Sequence, residues 1–244
     1  MDKAWYKDWF GTPYYAMLYG NRDDAEAQEQ VEGIIALTGS RPGSRVLDMA
    51  CGRGRHARCF LSKGMEVTGF DVNPTAIEVA RGVAPKADFR IHDMREHFAE
   101  ARFDLVVNLF TSFGYFDQRD DDLKVLRVAH AALKPGGSLL IDFMNTPRVL
   151  AGLVEQEERT VGEVRFTVTR RLRGGMVEKS IHVRDGGCDH RFTERVMALL
   201  PQEIVLMAAE CGFDVHGQFG GFDGSPYDVD RSDRYVLWAK RVNG

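Results

Sequence analysis

From Arg45 onward the chain alternates short apolar runs with stretches of helical periodicity. RVLDM is followed by a helical pattern over 53–63, EVTGFD by one over 74–83, and FDLVVNLF by one over 120–133, with ADFRIHD between and GSLLIDFM closing the series. Short apolar runs of this kind are strands, and helices between them predict right-handed βαβ crossovers, hence a parallel sheet with helices on both faces. Past Pro147 the period changes. RFTVTRRL, MVEKSIHV and RFTERVMALL are β-branched and partly alternating, separated by RGG and RDGGCD, which predicts a small antiparallel insert joined by hairpins. Pro201 then opens a helix over QEIVLMAAECG that ends on Gly212, and FDVHGQFGGF and RYVLWAKR form two closing strands around a Gly-, Asp- and Pro-rich loop. Ahead of the sheet, an aromatic-rich opening and an acidic stretch with Val31, Ile34, Ile35 and Leu37 at helical spacing predict two helices. The division expected is a helical cap at 1–40, a main domain at 41–150 and 200–244, and an antiparallel β insert at 151–199 that covers the site as a lid.

Composition narrows the function. The 244 residues are 44% hydrophobic and 28% charged with a formal net charge of −4, ordinary for a globular chain and opposite to the surplus of Lys and Arg that nucleic acid or an anionic membrane attracts. The four cysteines, at 51, 59, 188 and 211, contain no CxxC pair, so neither a zinc site nor a disulfide framework is expected, and the thiols suit a reducing cytoplasm. No apolar run reaches the length of a membrane span and the opening MDKAWYKDWF has no signal-peptide core, so the expectation is a soluble cytoplasmic protein, a monomer or homodimer.

The chemistry concentrates in VLDMACGRGRHARCF, a strand running through a Gly-rich turn into a helix. Gly52 and Gly54 let backbone approach a ligand closely, and the N–H groups of the turn and helix start favour polar or anionic ligand atoms. Gly52, Gly54 and Ala57 satisfy GxGxxG/A, and Asp71 lies 19 positions after Gly52 at the end of the next strand, where a carboxylate accepts both ribose hydroxyls. Nicotinamide-dependent oxidoreductases share that arrangement. Two further carboxylates separate the alternatives. Asp48 ends the first strand, where its charge opposes a pyrophosphate but suits an ammonium or sulfonium. Asp93 ends the third, where it can accept from an adenine amine while Met94 packs on the ring. Acids at three successive strand ends describe a nucleoside with a cationic tail.

In these residues the chain resembles the class I S-adenosylmethionine (SAM)-dependent methyltransferases of small-molecule type. LDMACGRGRH looks like that family's first motif, GFDVN like its ribose-binding acid, HDM like its adenine contact, FDLVVNLF like its fourth-strand motif and LKPGGSLLID like its turn into strand five, together spanning about 45–145. The resemblance implies a Rossmann-like α/β sheet of seven strands, mostly parallel with the last antiparallel, and SAM lying across the carboxyl ends of strands one to four. It also implies that Asp48, Cys51, Gly52 and Gly54 face the methionine portion, that Asp71 holds the ribose, that Val72 and Asn73 flank the adenine, and that Asp93 and Met94 hold its edge. Asn108 and Phe110 would lie near the transferable methyl. The product would be S-adenosylhomocysteine (SAH).

The acceptor expected is a small molecule offering N or O, with an RNA or protein acceptor left open. Methyl transfer is an in-line displacement, so positioning can supply most of the acceleration. Where a base is needed, His56, His92, His97, His182 and His190 and several tyrosines are candidates; His56 beside the Gly-rich turn and Tyr115 in TSFGYFD are the catalytic expectations. Among the opening aromatics, Tyr14, Tyr15 and Tyr19 are read either as a flap placing an aromatic face on the sulfonium or as plain packing of helices on the sheet. Tyr15, Tyr19, Tyr227 and Arg234, with Ser232, are the candidate acceptor contacts. Residues 159–195 hold nine basic side chains against five acidic ones, but adding Glu155, Glu157 and Glu158 leaves an excess of one, so the insert is read as a solvated face before it is read as an anion-attracting lid. NLFTSF lacks the Asn/Asp-Pro-Pro-aromatic signature of nucleic-acid amino-methylating enzymes. A SAM-binding regulatory or accessory module without turnover is the second reading, and a nicotinamide-dependent oxidoreductase the third.

Overall fold

A computed structural model describes residues 5–20 and 24–242, with the side chain of residue 7 outside the description. In chain order it runs α1 (Trp5–Trp9), α2 (Pro13–Leu18), α3 (Asp24–Thr38), β1 (Arg45–Met49), α4 (Arg55–Ser62), β2 (Glu66–Asp71), α5 (Pro74–Val83), β3 (Asp88–Ile91), β4 (Phe103–Asn108), α6 (Arg119–Ala132), β5 (Leu133–Met144) and α7 (Thr146–Ala151). There follow β6 (Gln156–Val161), β7 (Val164–Arg173), β8 (Met176–Asp185), β9 (Cys188–Met197), α8 (Pro201–Glu210), β10 (Phe213–Phe219) and β11 (Arg234–Arg241).

Seven strands form one sheet in the order β10-β11-β5-β4-β1-β2-β3. The β1–β5 pairings are parallel and β11, the last strand in the chain, runs antiparallel to both its neighbours, as expected. Period-two alternation divides the buried side chains between two cores. Val46, Leu105, Val107 and Leu140 face α3, α4 and α5, joining Val31, Ile34, Phe60 and Ile77. Leu47, Met49, Val106, Leu139 and Ile141 face α6 and α8, joining Leu126, Ile204 and Met207. Sheet order reverses beside β1, which pairs with β2 on one side and β4 on the other, so the loops after these strands diverge and leave a crevice at their carboxyl ends.

Two elements differ from expectation. The opening contains three helices, because Thr12 breaks the aromatic stretch: its hydroxyl accepts from Tyr15 N–H and caps α2 ahead of Pro13. The insert has four strands. The additional one, β6, reads QEERTV and is almost wholly exposed, so no apolar period marks it; pairing with β7 makes it a strand. The β7–β8 and β8–β9 hairpins turn on Gly174–Gly175 and Gly186–Gly187, all at positive φ, the geometry tight two-residue hairpins require. One face of this second sheet carries Val164, Phe166, Val168, Ile181 and Val183, and it is α1 and α2 that cover it, through Trp9 and Leu18.

Candidate active site

A cavity of about 360 Å³ opens at the crevice. Its floor is the turn after β1, its sides are the loops after β2, β3 and β4, and aromatic side chains from α1 and α2 close it above.

Ala50 (φ 59), Gly52 (φ 53) and Gly54 (φ 78) bend the chain sharply out of β1. No atom lies within 4 Å of where a Gly52 side chain would begin, so that backbone faces open space. A side chain at Gly54 would meet Ala80 at 3.0 Å and Phe89 at 3.1 Å, so this glycine serves the packing of α4, outside the cavity wall.

Three carboxylates reach this floor and sides in different states. Asp71 is held from both ends: Oδ2 accepts Gly52 N–H at 3.0 Å and Oδ1 accepts Asn73 N–H at 2.9 Å, while burial raises its pKa against those bonds. Asp48 is 2% exposed and its Oδ2 has no hydrogen-bond partner. Burial, reinforced by the charge of Asp71 and opposed by Arg55, pushes the Asp48 carboxyl up to about 7. Asp93 is bound bidentately by Arg95, at 3.0 and 2.7 Å, and also accepts Arg95 N–H at 3.0 Å. Arg95 bridges onward to Asp121 and stacks 4.4 Å above the ring of Phe116.

The loop after β4 is strained. Phe110 and Thr111 adopt φ of 61° and 58°, a left-handed conformation that costs non-glycine residues of order 1–3 kcal/mol each and that concentrates at functional sites. The strain is held by Asp142, 1% exposed, whose carboxylate accepts Phe110 N–H at 2.8 Å and Arg234 Nε–H at 2.7 Å; Arg234 also donates to Thr111 Oγ1 at 3.0 Å. Phe110 is thereby presented to the cavity, and the guanidinium of Arg55 lies 4.6 Å from its ring centre.

Overhead, the ring of Tyr115 lies 5.0 Å from Trp5 and 5.8 Å from Phe10, and Tyr15 lies 5.0 Å from both Phe10 and Tyr19. Glu194 of β9 anchors this roof. Its carboxylate accepts Trp9 Nε1–H at 2.6 Å and Tyr19 Oη–H at 2.8 Å and pairs with Lys179 at 3.1 Å.

Of the residues expected at the site, Asp48, Cys51, Gly52, His56, Asp71, Val72, Asp93, Met94, Phe110, Tyr115, Tyr15 and Tyr19 line the cavity. Six lie outside its wall, among them Ser232, whose Oγ accepts Asp228 N–H at 2.9 Å. Besides Gly54, Asn73 turns inward to cap α5, accepting Ala76 N–H at 3.1 Å. Asn108 is buried behind the wall and donates to Met49 O at 3.2 Å. Tyr227 donates to Asn145 Oδ1, and Arg234 reaches the site through Asp142, through Thr111 and through the ring of Phe110, whose centre lies 5.7 Å from its guanidinium. The two readings of the opening tyrosines divide by residue, since Tyr14 packs on the insert and donates to Asp185 while Tyr15 and Tyr19 face the cavity. His97, His182 and His190 are not among the lining residues. His56 and His92 are: His92 Nε2 lies 3.0 Å from Glu96 O, and for His56 burial and the charge of Arg55 lower its pKa to about 3 while its Nε2 lies 2.7 Å from Gln30 Oε1, which leaves a weak base.

Lining residues not anticipated include Tyr6, Phe10, Arg55 and Ser112. Arg55 had a legible signal: a cation in the first turn of a helix opposes the helix dipole, so another partner had to be expected. That partner is Glu26 of α3, whose Oε2 lies 2.5 Å from Arg55 Nη1.

A family described as a methyltransferase domain matches residues 46–137. A ubiquinone biosynthesis O-methyltransferase of Xanthomonas campestris pv. campestris (strain B100) is 32% identical over 124 residues, 48% of this chain and 50% of that protein, so the chain spans about half the length of this curated relative. A dTDP-3-amino-3,4,6-trideoxy-alpha-D-glucopyranose N,N-dimethyltransferase of Streptomyces venezuelae is 28% identical over 162 residues, 63% of this chain and 68% of its own. The solved structure of an S-adenosylmethionine-dependent methyltransferase from Clostridium acetobutylicum ATCC 824 superposes with a TM-score of 0.80 at 16% identity, covering 94% of this chain and 96% of that one, a likeness of fold.

Proposed function

We propose that this protein transfers a methyl group from SAM to a small-molecule N or O acceptor, releasing SAH, a reading supported by the match of residues 46–137 to a methyltransferase-domain family and by the likeness of fold to a solved SAM-dependent methyltransferase. The observation that carries the reading is Asp48: a buried carboxylate with a partnerless oxygen, beside the open backbone of Gly52, is an acceptor waiting for a cationic ligand group. A pyrophosphate would meet like charge there.

In this reading the methionine end lies against Asp48, Cys51 and Gly52, the ribose against Asp71, and the adenine against Val72, Asp93 and Met94. Phe110 borders the reacting methyl, and Tyr15, Tyr19 and Tyr115 bound the acceptor. When bound, SAM supplies an electrophilic methyl on a sulfonium for in-line displacement. The chain's own contribution is positional. The aromatic roof excludes water and offers ring faces to positive charge, a contact of about 0.5–2 kcal/mol, and the Asp142–Arg234 brace keeps Phe110 in place. The cap at 1–40 and the insert at 151–199 together cover the acceptor, with the remainder as the cofactor-binding domain. The slight overall acidity of the chain and the small-molecule acceptors in the names of its relatives support a small acceptor.

The test is conversion of methyl-labelled SAM in the presence of panels of amines, amino sugars and phenols. Acceptor-dependent release of SAH is expected. SAM binding with no transfer to any class of acceptor would favour a sensing or accessory module.

A further inference from the structure

We infer that Asp142 and Arg234 are positioning residues: they hold the turn after β4 in a conformation its own residues disfavour, and so set where Phe110 stands at the reacting end of the cavity. The inference rests on the adenosyl reading above, and it moves Arg234 from the acceptor contacts to a brace behind the wall.

Leu109 O accepts the N–H and the hydroxyl of Ser112, at 3.3 and 2.7 Å, closing a turn whose two central residues, Phe110 and Thr111, both have positive φ. Mirror-image turns of this kind ordinarily take Asn and Gly, and a bulky or β-branched residue there is an outlier. Both central N–H groups are met by one residue of β5: Asp142 accepts Phe110 N–H through Oδ2 at 2.8 Å and Thr111 N–H through its carbonyl at 3.0 Å. Asp142 stands there because Asn108 and Ile141 are partners in the β4–β5 register, which brings the next residue of β5 beside the start of the turn. At 1% exposure its carboxylate needs a cation. Arg234 of β11 supplies one, donating from Nε to Oδ1 at 2.7 Å and from Nη2 to Thr111 Oγ1 at 3.0 Å, a double reach that suits a planar guanidinium and not a lysine ammonium. Glycine at either central position would remove the strain, but with it the ring that lines the cavity or the hydroxyl that Arg234 grips. A strained turn persists only while its surroundings over-determine it, so loss of the brace lets it relax and carries Phe110 away from its place. Leu109 and Ser112 also line the cavity and move with it.

The experiment places 4-fluorophenylalanine at position 110 or, in a separate sample, at position 60 in the core against α3–α5, and follows fluorine NMR in the wild type, Arg234→Gln and Arg234→Lys, with calorimetry of SAM and SAH on each. The wild type should give one resonance at position 110. Arg234→Gln should displace or split it while the reporter at position 60 stays unmoved, and Arg234→Lys should fall between. Arg234→Gln should also weaken SAM by about 3- to 10-fold, within the range of an aromatic contact with a cation, and SAH by less than about twofold. An unmoved resonance at position 110 in Arg234→Gln, displacement of both reporters together, or equal losses for SAM and SAH would overturn the inference while the adenosyl reading stands. A wild type that binds neither SAM nor SAH would overturn the adenosyl reading, and this inference with it.

Discussion

Asp48 ties the site's electrostatics to a solution observable. With its carboxyl pushed to about 7, it is mostly protonated at pH 6 and mostly ionised at pH 8 in the free protein. An ammonium ligand binds the ionised form, so binding at pH 7 should release a fraction of a proton, and SAH affinity should rise several-fold between pH 6 and 8 until the ligand's own amine begins to lose its proton. Calorimetry in buffers of different ionisation enthalpy reads that release, and Asp48→Asn should abolish it while weakening SAH by about tenfold or more. The strand-end acids were legible because apolar runs bounded by acids announce where strands stop. Asn73 and Asn108 were not, because proximity to a motif does not say which way a side chain turns: one satisfies the orphan N–H groups of α5 and the other braces Met49. Nor does composition reveal that Phe110 and Thr111 are left-handed, since the cause is Asp142, more than thirty residues along the chain.

At the scale of elements, the roof depends on contacts between segments distant in sequence. Glu194 of β9 joins Trp9 of α1, Tyr19 beyond α2 and Lys179 of β8. Removing it leaves a buried indole N–H, a phenol and an ammonium without their acceptor, so Glu194→Ala should destabilise the protein by about 2–4 kcal/mol in urea unfolding and loosen the N-terminal helices toward protease. Glu194→Gln, which retains an acceptor oxygen, should cost less. An Ala variant as stable and as protease-resistant as the wild type would show that the helices are held without this cluster. The hairpins of the insert were readable from their glycines, and the sheet's hidden partner was not, because Trp9 and Leu18 meet Phe166 and Val183 only after the chain has folded.

For the whole molecule, alternation of apolar runs and helices was enough to reach the parallel sheet, and the family resemblance supplied the antiparallel last strand. The same cores set a pH dependence of stability. Asp122, fully buried, accepts Gly114 N–H through Oδ1 while its Oδ2 has no partner, and burial pushes its carboxyl up to about 7. Its folded pKa, like that of Asp48, is raised above the unfolded value, so the stability each contributes is complete below about pH 4 and is lost as pH rises through about 7. Melting temperature should therefore fall by several degrees between pH 4.5 and 8, and Asp122→Asn should flatten roughly half of that fall; an unaltered slope in the variant would exclude Asp122 as a source. Unlike Asp48, Asp122 is not among the cavity-lining residues, so ligand should leave its share unchanged.

The central claim is that the crevice beside β1 is an adenosyl-ligand site, and the most direct measurement is calorimetric titration of the protein with SAM, SAH and NAD, with Asp71→Ala as the control. Saturable binding of SAM and SAH, absent for NAD and weakened at least tenfold in Asp71→Ala, is the predicted result. Binding of NAD alone, or of none of the three, would contradict it.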